Sequence, residues 1–183
     1  MNKEKIINYL ELLDAGLAAR TSLYIYGSAA LILLDEPERM SLDIDVASAY
    51  SEVDQNDLRH VAALIGLPVN PDADYQFDYI EWVAPLRLCL PPPADNIGVI
   101  LWQGAKLTIK TGFIAELIAS KLIRYDETDR GDIQFLLKQF HFTWAEVCSA
   151  VNRLPSQFRS DIVITENLKN LKTDIGVWEN TVI

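Results

Sequence analysis

The pattern of hydrophobic and polar positions predicts alternating helices and strands in the first half of this 183-residue chain. Apolar side chains recur at helical spacing over residues 3–19, with charged residues between them. Short runs of β-forming residues stand at 23–26 and 42–47, and a segment with helical spacing separates them. The predicted elements up to residue 82 are, in order, a helix (3–19), a strand (23–26), a helix (28–34), a strand (42–47), a helix (55–65) and a strand (75–82).

The second half of the chain changes from strands to helices. A short strand is predicted at 87–90, and Gln103-Gly104 is a turn signal between two β-rich runs, 97–102 and 106–110. Helical patterns then follow one another to about residue 172. They cover 113–125 and 129–139, a third helix from a Thr143-x-x-Glu146 capping box to about Leu154, and a further helix after Pro155.

The order of these elements predicts the fold class α/β (α+β). We expect a mixed β-sheet flanked by helices and followed by a helical C-terminal part. The expected boundary divides the chain into a sheet domain, residues 1–111, and a helical part, residues 112–183.

Composition and charge narrow the range of partners. Half of the residues are hydrophobic and 23% are charged, the balance of an ordinary globular protein. No apolar run reaches the roughly 18 residues that a membrane span needs, and the N-terminus lacks the apolar block of a signal peptide. We therefore expect a cytoplasmic protein that does not enter the membrane. The net charge of −10 disfavours a large nucleic-acid surface and suits a nucleotide, another small molecule or a protein partner better.

Two aspartates on the second predicted strand are the strongest candidates for chemistry. Asp43 and Asp45 are two positions apart, so both side chains leave the same face of the strand, while Ile44 points the other way. Neighbouring carboxylates repel each other, and desolvation increases the repulsion. A cation relieves it, and Mg²⁺ held by one or two carboxylates and by a substrate's phosphates is the usual solution.

A Gly-Ser turn precedes the helix that leads to this strand. Gly27 and Ser28 follow the first predicted strand, and exposed backbone N–H groups at a helix N-terminus suit a phosphate. Arg39 and Ser41 stand just upstream of the aspartates. Each motif alone is compatible with a plain turn and surface aspartates. Their combination in strand–turn–helix–strand order favours a metal-dependent nucleotide site.

The two motifs together resemble the signature of the nucleotidyltransferase superfamily, which shares the DNA polymerase β fold. More narrowly, they resemble the bacterial nucleotidyltransferases related to the AbiEii toxins. The resemblance implies that the aspartates bind Mg²⁺ and that the Gly-Ser turn holds the terminal phosphates of a nucleoside triphosphate (NTP). It also implies transfer of a nucleoside monophosphate to an acceptor. The matching residues are Gly27, Ser28, Arg39, Ser41, Asp43 and Asp45.

A second group of charged residues falls on two predicted helices. Lys121 and Arg124 are three positions apart, as are Asp129 and Asp132, so each pair shares a helix face. A turn between the helices would bring cations and carboxylates together; a solvated loop with an ordinary salt bridge is the alternative. The AbiEii-like branch carries a similar series. The resemblance implies that Lys121 contacts the triphosphate, that Asp132 orients this lysine or lies beside the acceptor, and that the helical part shares the active-site cleft.

A third carboxylate is expected on a later strand. In enzymes that resemble DNA polymerase β, it helps to deprotonate the attacking hydroxyl. Asp78, on the predicted strand 75–82, is the candidate here, and an ordinary surface aspartate is the alternative.

The candidate site residues fall into three groups. The candidate catalytic residues are Asp43, Asp45, Asp78, Lys121 and Asp132; the candidate nucleotide-binding residues are Gly27, Ser28, Arg39, Ser41, Arg124 and Asp129; the candidate metal ligands are Asp43 and Asp45.

The predicted function is Mg²⁺-dependent transfer of a nucleoside monophosphate from an NTP to an acceptor that the sequence does not identify. A tRNA end, a protein hydroxyl and a small molecule stay open as acceptors, and the net charge disfavours tRNA. Two alternatives also stay open. One is a catalytically inactive module of the same fold that binds nucleotide or a protein partner. The other is the toxin of a toxin–antitoxin pair, with an antitoxin protein as its partner.

Overall fold

The computed structural model describes residues 1–93 and 98–180 of the chain, which form two compact units. The sheet unit comprises Met1–Leu88 and the described part of Pro93–Gly112. The helical unit comprises Cys89–Pro92 and the described residues from Phe113 onward. The predicted fold class is confirmed, because the described residues form a five-stranded mixed sheet flanked by helices and a helical C-terminal part.

Helices and strands alternate along the sheet unit up to its third strand, and two further strands follow. Two three-residue 3-10 turns, Ser48–Tyr50 and Pro85–Arg87, follow its second and third strands. The elements are α1 (Lys3–Gly16), β1 (Thr21–Tyr26), α2 (Gly27–Leu33), β2 (Asp43–Ala47), α3 (Gln55–Leu64), β3 (Tyr79–Val83), β4 (Val99–Gln103) and β5 (Leu107–Thr111).

The strands form one sheet in the order β3-β2-β1-β5-β4. The central strand β1 is antiparallel to β2 and parallel to β5. β2 and β3 are parallel, and α3 lies in the crossover connection that a parallel pair requires. In β2, Ile44 and Val46 are buried while Asp43 and Asp45 are half-buried, so this strand separates an apolar face from a polar one, as predicted.

Two strand predictions need correction. β3 begins at Tyr79 and not at residue 75, so Asp78 precedes the strand. The strand predicted at 87–90 is wrong: the chain makes the 3-10 turn Pro85–Arg87 there and then runs into prolines 91–93, which cannot donate to a β-ladder. The run predicted at 97–102 corresponds to β4, and residue 97 lies outside the described residues.

The helical unit contains five helices in its described residues. The predicted capping box is confirmed: Thr143 Oγ1 accepts from the Glu146 N–H, and Glu146 Oε2 accepts from the Thr143 N–H. The last helix continues past residue 172, to Asn180. No helix within the described ranges is long and apolar enough to cross a bilayer. The helices are α4 (Ile114–Lys121), α5 (Glu127–Phe140), α6 (Trp144–Arg153), α7 (Ser156–Arg159) and α8 (Ile162–Asn180).

Asp14 of α1 ties this helix to the β4–β5 hairpin. Its Oδ1 accepts hydrogen bonds from the backbone N–H groups of Leu107 (2.6 Å) and Lys106 (2.7 Å), and its Oδ2 accepts one from Ala105 (3.0 Å). A Cβ on Gly104 would overlap this carboxylate, which explains the glycine at the turn. The hydrogen bonds, that of Leu107 first, lower the pKa of the Asp14 carboxyl because they favour its charged form.

We expect Asp14→Asn to lower the melting temperature at neutral pH, because the amide has one acceptor oxygen and no charge. The pKa of Asp14 is lowered from its ordinary 3.8 in the folded chain. The carboxylate therefore stabilises the fold fully above that value and loses its contribution as the pH falls through the lowered pKa. Thermal melts from neutral pH down to about pH 2 measure the difference from the wild type.

Asp72→Asn, in an exposed loop, is the matched control and should leave the melting temperature nearly unchanged. A difference between Asp14→Asn and the wild type that stays constant or grows in acid would contradict the assigned role of Asp14.

Candidate functional site

Three carboxylates meet on the polar face of the sheet. Asp43 and Asp45 come from β2, and Glu81 comes from the neighbouring strand β3. One side-chain oxygen from each residue lies within 4.8 Å of the other two, and all three side chains are half-buried. Among the described residues, this acidic triad is the group with the geometry to hold a metal ion.

Strand register brings the acidic triad together. In the parallel β2–β3 pair, Asp43 lies beside Tyr79 and Asp45 lies beside Glu81. Because side chains alternate along a strand, all four leave the same face of the sheet. The antiparallel β1–β2 pair places Tyr26 beside Asp45 on the other side. A row of Tyr26, Asp45 and Glu81 therefore crosses three strands.

Asp43 is held by two hydroxyl groups. Ser41 Oγ donates to its Oδ1 at 3.0 Å, and Tyr79 Oη donates to its Oδ2 at 3.3 Å. Burial, followed by the Asp43 charge, raises the pKa of Tyr79, so the phenol stays protonated and remains a donor. The two bonds leave acceptor capacity on both oxygens, since a carboxylate offers about four lone-pair sites. Ser41, predicted as a nucleotide-binding residue, thus orients a candidate metal ligand.

Gly27 lets the Asp45 carboxylate pack against the backbone where β1 enters α2. Its φ of 68° lies in the left-handed region, and a Cβ at this position would overlap Asp45 Oδ2. The preceding residue, Tyr26, has a raised pKa, first because it is partly buried and then because Asp45 and Glu81 are charged. The neighbours of the Asp45 carboxylate at this turn are therefore the neutral phenol of Tyr26 and Gly27, which has no side chain.

Ser28 and Arg39 place a hydroxyl and a cation at the same turn. Arg39 Nη2 donates to Ser28 Oγ at 2.8 Å. α2 has only seven residues, so few peptide dipoles add up at its N-terminus. The charge that would attract a phosphate at this turn therefore comes mainly from Arg39, rather than from the helix as the sequence suggested.

Arg87 is a cation in the site that sequence reasoning missed. It lies in the 3-10 turn after β3, and its Nη2 is 2.9 Å from Glu81 Oε1. The Arg87 side chain is 70% exposed and that of Glu81 is 25% exposed. Exposed ion pairs contribute at most about 1 kcal/mol, so this one competes weakly with a divalent cation for Glu81.

The structure places Asp78 in a different cluster from the acidic triad. Its Oδ2 accepts a hydrogen bond from Tyr9 Oη at 3.0 Å and forms an ion pair with Lys5 Nζ at 2.5 Å. Both partners belong to α1, and Asp78 is buried among them. The carboxylate that joins the aspartate pair is Glu81.

The alternation of apolar and polar residues that identified the aspartates of β2 also indicates that Glu81 lies on the polar face of β3. In β2, the buried residue between the two acids is Ile44; in β3, the buried residue between Tyr79 and Glu81 is Ile80. The apolar residue marks the core face, so its neighbours mark the polar face. Arg87 had no comparable signal, because it lies in an irregular turn.

The charged residues predicted on two helices come together within the helical unit. The prediction that Arg124 shares a helix face with Lys121 is wrong, because α4 ends at Lys121 and Arg124 lies in the link to α5. Lys121 Nζ is 2.6 Å from Asp132 Oδ2 and 3.3 Å from Asp129 Oδ1. Arg124 donates to both oxygens of Asp129, from Nε at 2.9 Å and from Nη2 at 3.0 Å. Lys121 and both aspartates are nearly buried, so these ion pairs join α4 to α5. The role of Lys121 toward a triphosphate stays a prediction.

Alanine at Gly27 tests how closely Asp45 packs against the turn. A left-handed backbone alone costs a residue with a Cβ about 1–2 kcal/mol. We expect Gly27→Ala to lower the free energy of unfolding by more than this, because its Cβ would also overlap Asp45 Oδ2. Gly66→Ala is the matched control, since Gly66 has a φ of 75° and open space at its Cβ position. Equal losses in urea denaturation would show that Asp45 does not pack against Gly27.

Comparison with known proteins found no family model, no curated protein and no solved structure that matches the chain. The geometry of the acidic triad and of the Gly27-Ser28 turn is therefore the basis for any functional conclusion. The resemblance to nucleotidyltransferases stays a prediction from the sequence.

Proposed function

We propose that the sheet unit binds Mg²⁺ through Asp43, Asp45 and Glu81 and transfers a nucleoside monophosphate from an NTP to an acceptor hydroxyl. The main support is the meeting of three carboxylates beside the Gly27-Ser28 turn, where Arg39 supplies a positive charge. Carboxylate oxygens are the ligands that hard divalent cations prefer, and phosphates complete the coordination in nucleotide enzymes.

The spacing and charge of the acidic triad fit a divalent cation. Oxygens bound to Mg²⁺ at about 2.1 Å in an octahedron are about 3.0–4.2 Å apart, and those around Ca²⁺ are somewhat further apart. The triad oxygens lie within 4.8 Å of one another, so small side-chain adjustments suffice. The mutual repulsion of the carboxylates also favours a cation among them.

In the proposed reaction, different residues bind the metal ion and the phosphates. A bound Mg²⁺ would polarise the α-phosphoryl group and stabilise charge on the attacking and leaving oxygens. Asp43, oriented by Ser41 and Tyr79, is a fixed ligand. The Arg39 guanidinium and the Ser28 hydroxyl bind the terminal phosphates as charged and neutral donors.

Glu81 is the carboxylate best suited to accept the proton of the acceptor hydroxyl. It is partly exposed, and its cation partner Arg87 is highly exposed and weakly bound. The O–H bond of the acceptor hydroxyl breaks and Glu81 takes the proton, while the acceptor oxygen forms a bond to the α-phosphorus. The bond between the α-phosphorus and the bridging oxygen breaks, and pyrophosphate leaves with the electron pair.

A nucleotide-binding module without turnover is the second candidate. The ion pair between Arg87 and Glu81 favours it, because a guanidinium 2.9 Å from Glu81 Oε1 occupies the carboxylate that would accept the proton. In that case the acidic triad and the turn would bind an NTP with its metal, and no acceptor would react.

Metal binding provides the first test of the proposal. We expect Asp43→Asn/Asp45→Asn to weaken Mn²⁺ or Mg²⁺ binding by at least about 100-fold in calorimetry, since loss of even an outer-shell partner costs about 10–100-fold. The matched control is Asp72→Asn/Asp74→Asn, which makes the same charge change at the same spacing in an exposed loop. Unchanged binding in the first variant, or an equal loss in both, would contradict the metal site.

Pyrophosphate release then separates the two candidate functions. With an NTP, Mg²⁺ and a panel of tRNA, protein and small alcohols, a transferase should release pyrophosphate. The Asp43→Asn/Asp45→Asn variant should lose this release, and the loop control should keep it. Metal and nucleotide binding without release from any acceptor in the panel would favour the inactive module.

A further inference from the structure

The helical unit contains an aromatic groove that the proposed function does not use. The groove has a volume of about 610 Å³ and lies among the end of α5, the start of α6 and the last turns of α8. We call it the α5–α8 groove. Its apolar lining includes Leu137, Phe142, Trp144, Ile175 and Trp178.

Local backbone geometry shapes the side of the groove between α5 and α6. His141 ends α5 in the left-handed region with a φ of 53°, and its N–H donates to the Leu137 carbonyl. Thr143 caps α6 two residues later, so the connection between the two helices is short. Phe142 in this connection and Trp144 at the start of α6 remain half-buried in its wall.

The charge of the groove is opposite to that of the protein. The described residues that line it include Lys138 and Lys172 but no Asp or Glu, whereas the chain has a net charge of −10. Lys172 Nζ lies 5.8 Å from the centre of the Trp144 ring, so a cation stands over an aromatic wall. Glu146, close by in sequence, is engaged by the Thr143 N–H and hydroxyl.

From these features we propose that the α5–α8 groove binds a small planar aromatic anion. Its volume lies in the range of about 300–1,000 Å³ that small-molecule sites have. The ring of the ligand stacks against the aromatic walls. Its carboxylate or other anionic group pairs with Lys138 and Lys172, which are both exposed.

The size of the groove argues against a protein occupant. A stable protein interface covers about 800 Å² on each partner, whereas this groove is a local concavity with the volume of a small-molecule site. The site is independent of the acidic triad, because all its lining residues belong to the helical unit. Failure of the metal site would therefore leave this inference standing.

Titration of the full chain with three probes of similar shape tests the inference. The probes are naphthoate, the neutral naphthamide and the cationic naphthylmethylammonium, each followed by calorimetry. We expect one naphthoate to bind per chain, the neutral probe to bind more weakly and the cation to bind weakest. Absence of naphthoate binding at millimolar concentration, or equal binding of all three probes, would overturn the proposal.

The probe affinities of two surface variants and the NMR signals of the tryptophans test whether naphthoate binds in the α5–α8 groove. Lys138→Gln/Lys172→Gln should weaken naphthoate binding about tenfold, the sum of two exposed charge pairs, and leave naphthamide binding unchanged. Lys169→Gln, also exposed on α8 but outside the groove, should change neither. In NMR spectra, naphthoate should shift the indole N–H signals of Trp144 and Trp178. Shifts confined to other tryptophans, or an equal effect of Lys169→Gln, would contradict the site.

Discussion

The register between β2 and β3 is the constraint on which the site depends. It places Glu81 beside Asp45, and a slip of one residue would turn Glu81 to the apolar face. Two side-chain contacts support this register: Tyr79 donates to Asp43 across the strands, and Asp78 binds α1 immediately before β3 begins. The Asp78 contact therefore serves the site indirectly, by anchoring the start of the strand that carries Glu81.

Clustered carboxylates have different kinds of partner in the two units. In the helical unit, Asp129 and Asp132 are nearly buried, and each has a cation within hydrogen-bond distance. In the sheet unit, Asp43 is held by hydroxyl groups, and Glu81 is held by an exposed arginine. Neutral donors orient a carboxylate without cancelling its charge, so the acidic triad keeps a concentration of negative charge. In the helical unit, the charges of Asp129 and Asp132 are balanced by Lys121 and Arg124 of the same unit. This contrast is the strongest electrostatic reason to expect a metal ion at the acidic triad.

Features that depend on local spacing could be predicted from the sequence, and features that depend on strand pairing could not. The common face of Asp43 and Asp45 follows from the alternation of one strand, and the common face of Asp129 and Asp132 follows from the spacing of one helix. Arg124 lies beyond the end of α4, so its contact with Asp129 does not follow from helical spacing. Glu81 joins the pair only because β3 runs parallel to β2 in one register, which spacing within either strand does not encode. Arg87 reaches the site from a turn where the sequence predicted a strand.

Crystals of the protein grown with Mn²⁺ and measured near the manganese absorption edge test the metal site, because anomalous density locates the ion itself. We expect a peak within about 2.0–2.6 Å of oxygens from Asp43, Asp45 and Glu81, with Arg87 displaced from Glu81. Absence of a peak among these three side chains at saturating Mn²⁺, with the ion pair between Arg87 and Glu81 intact, would contradict it.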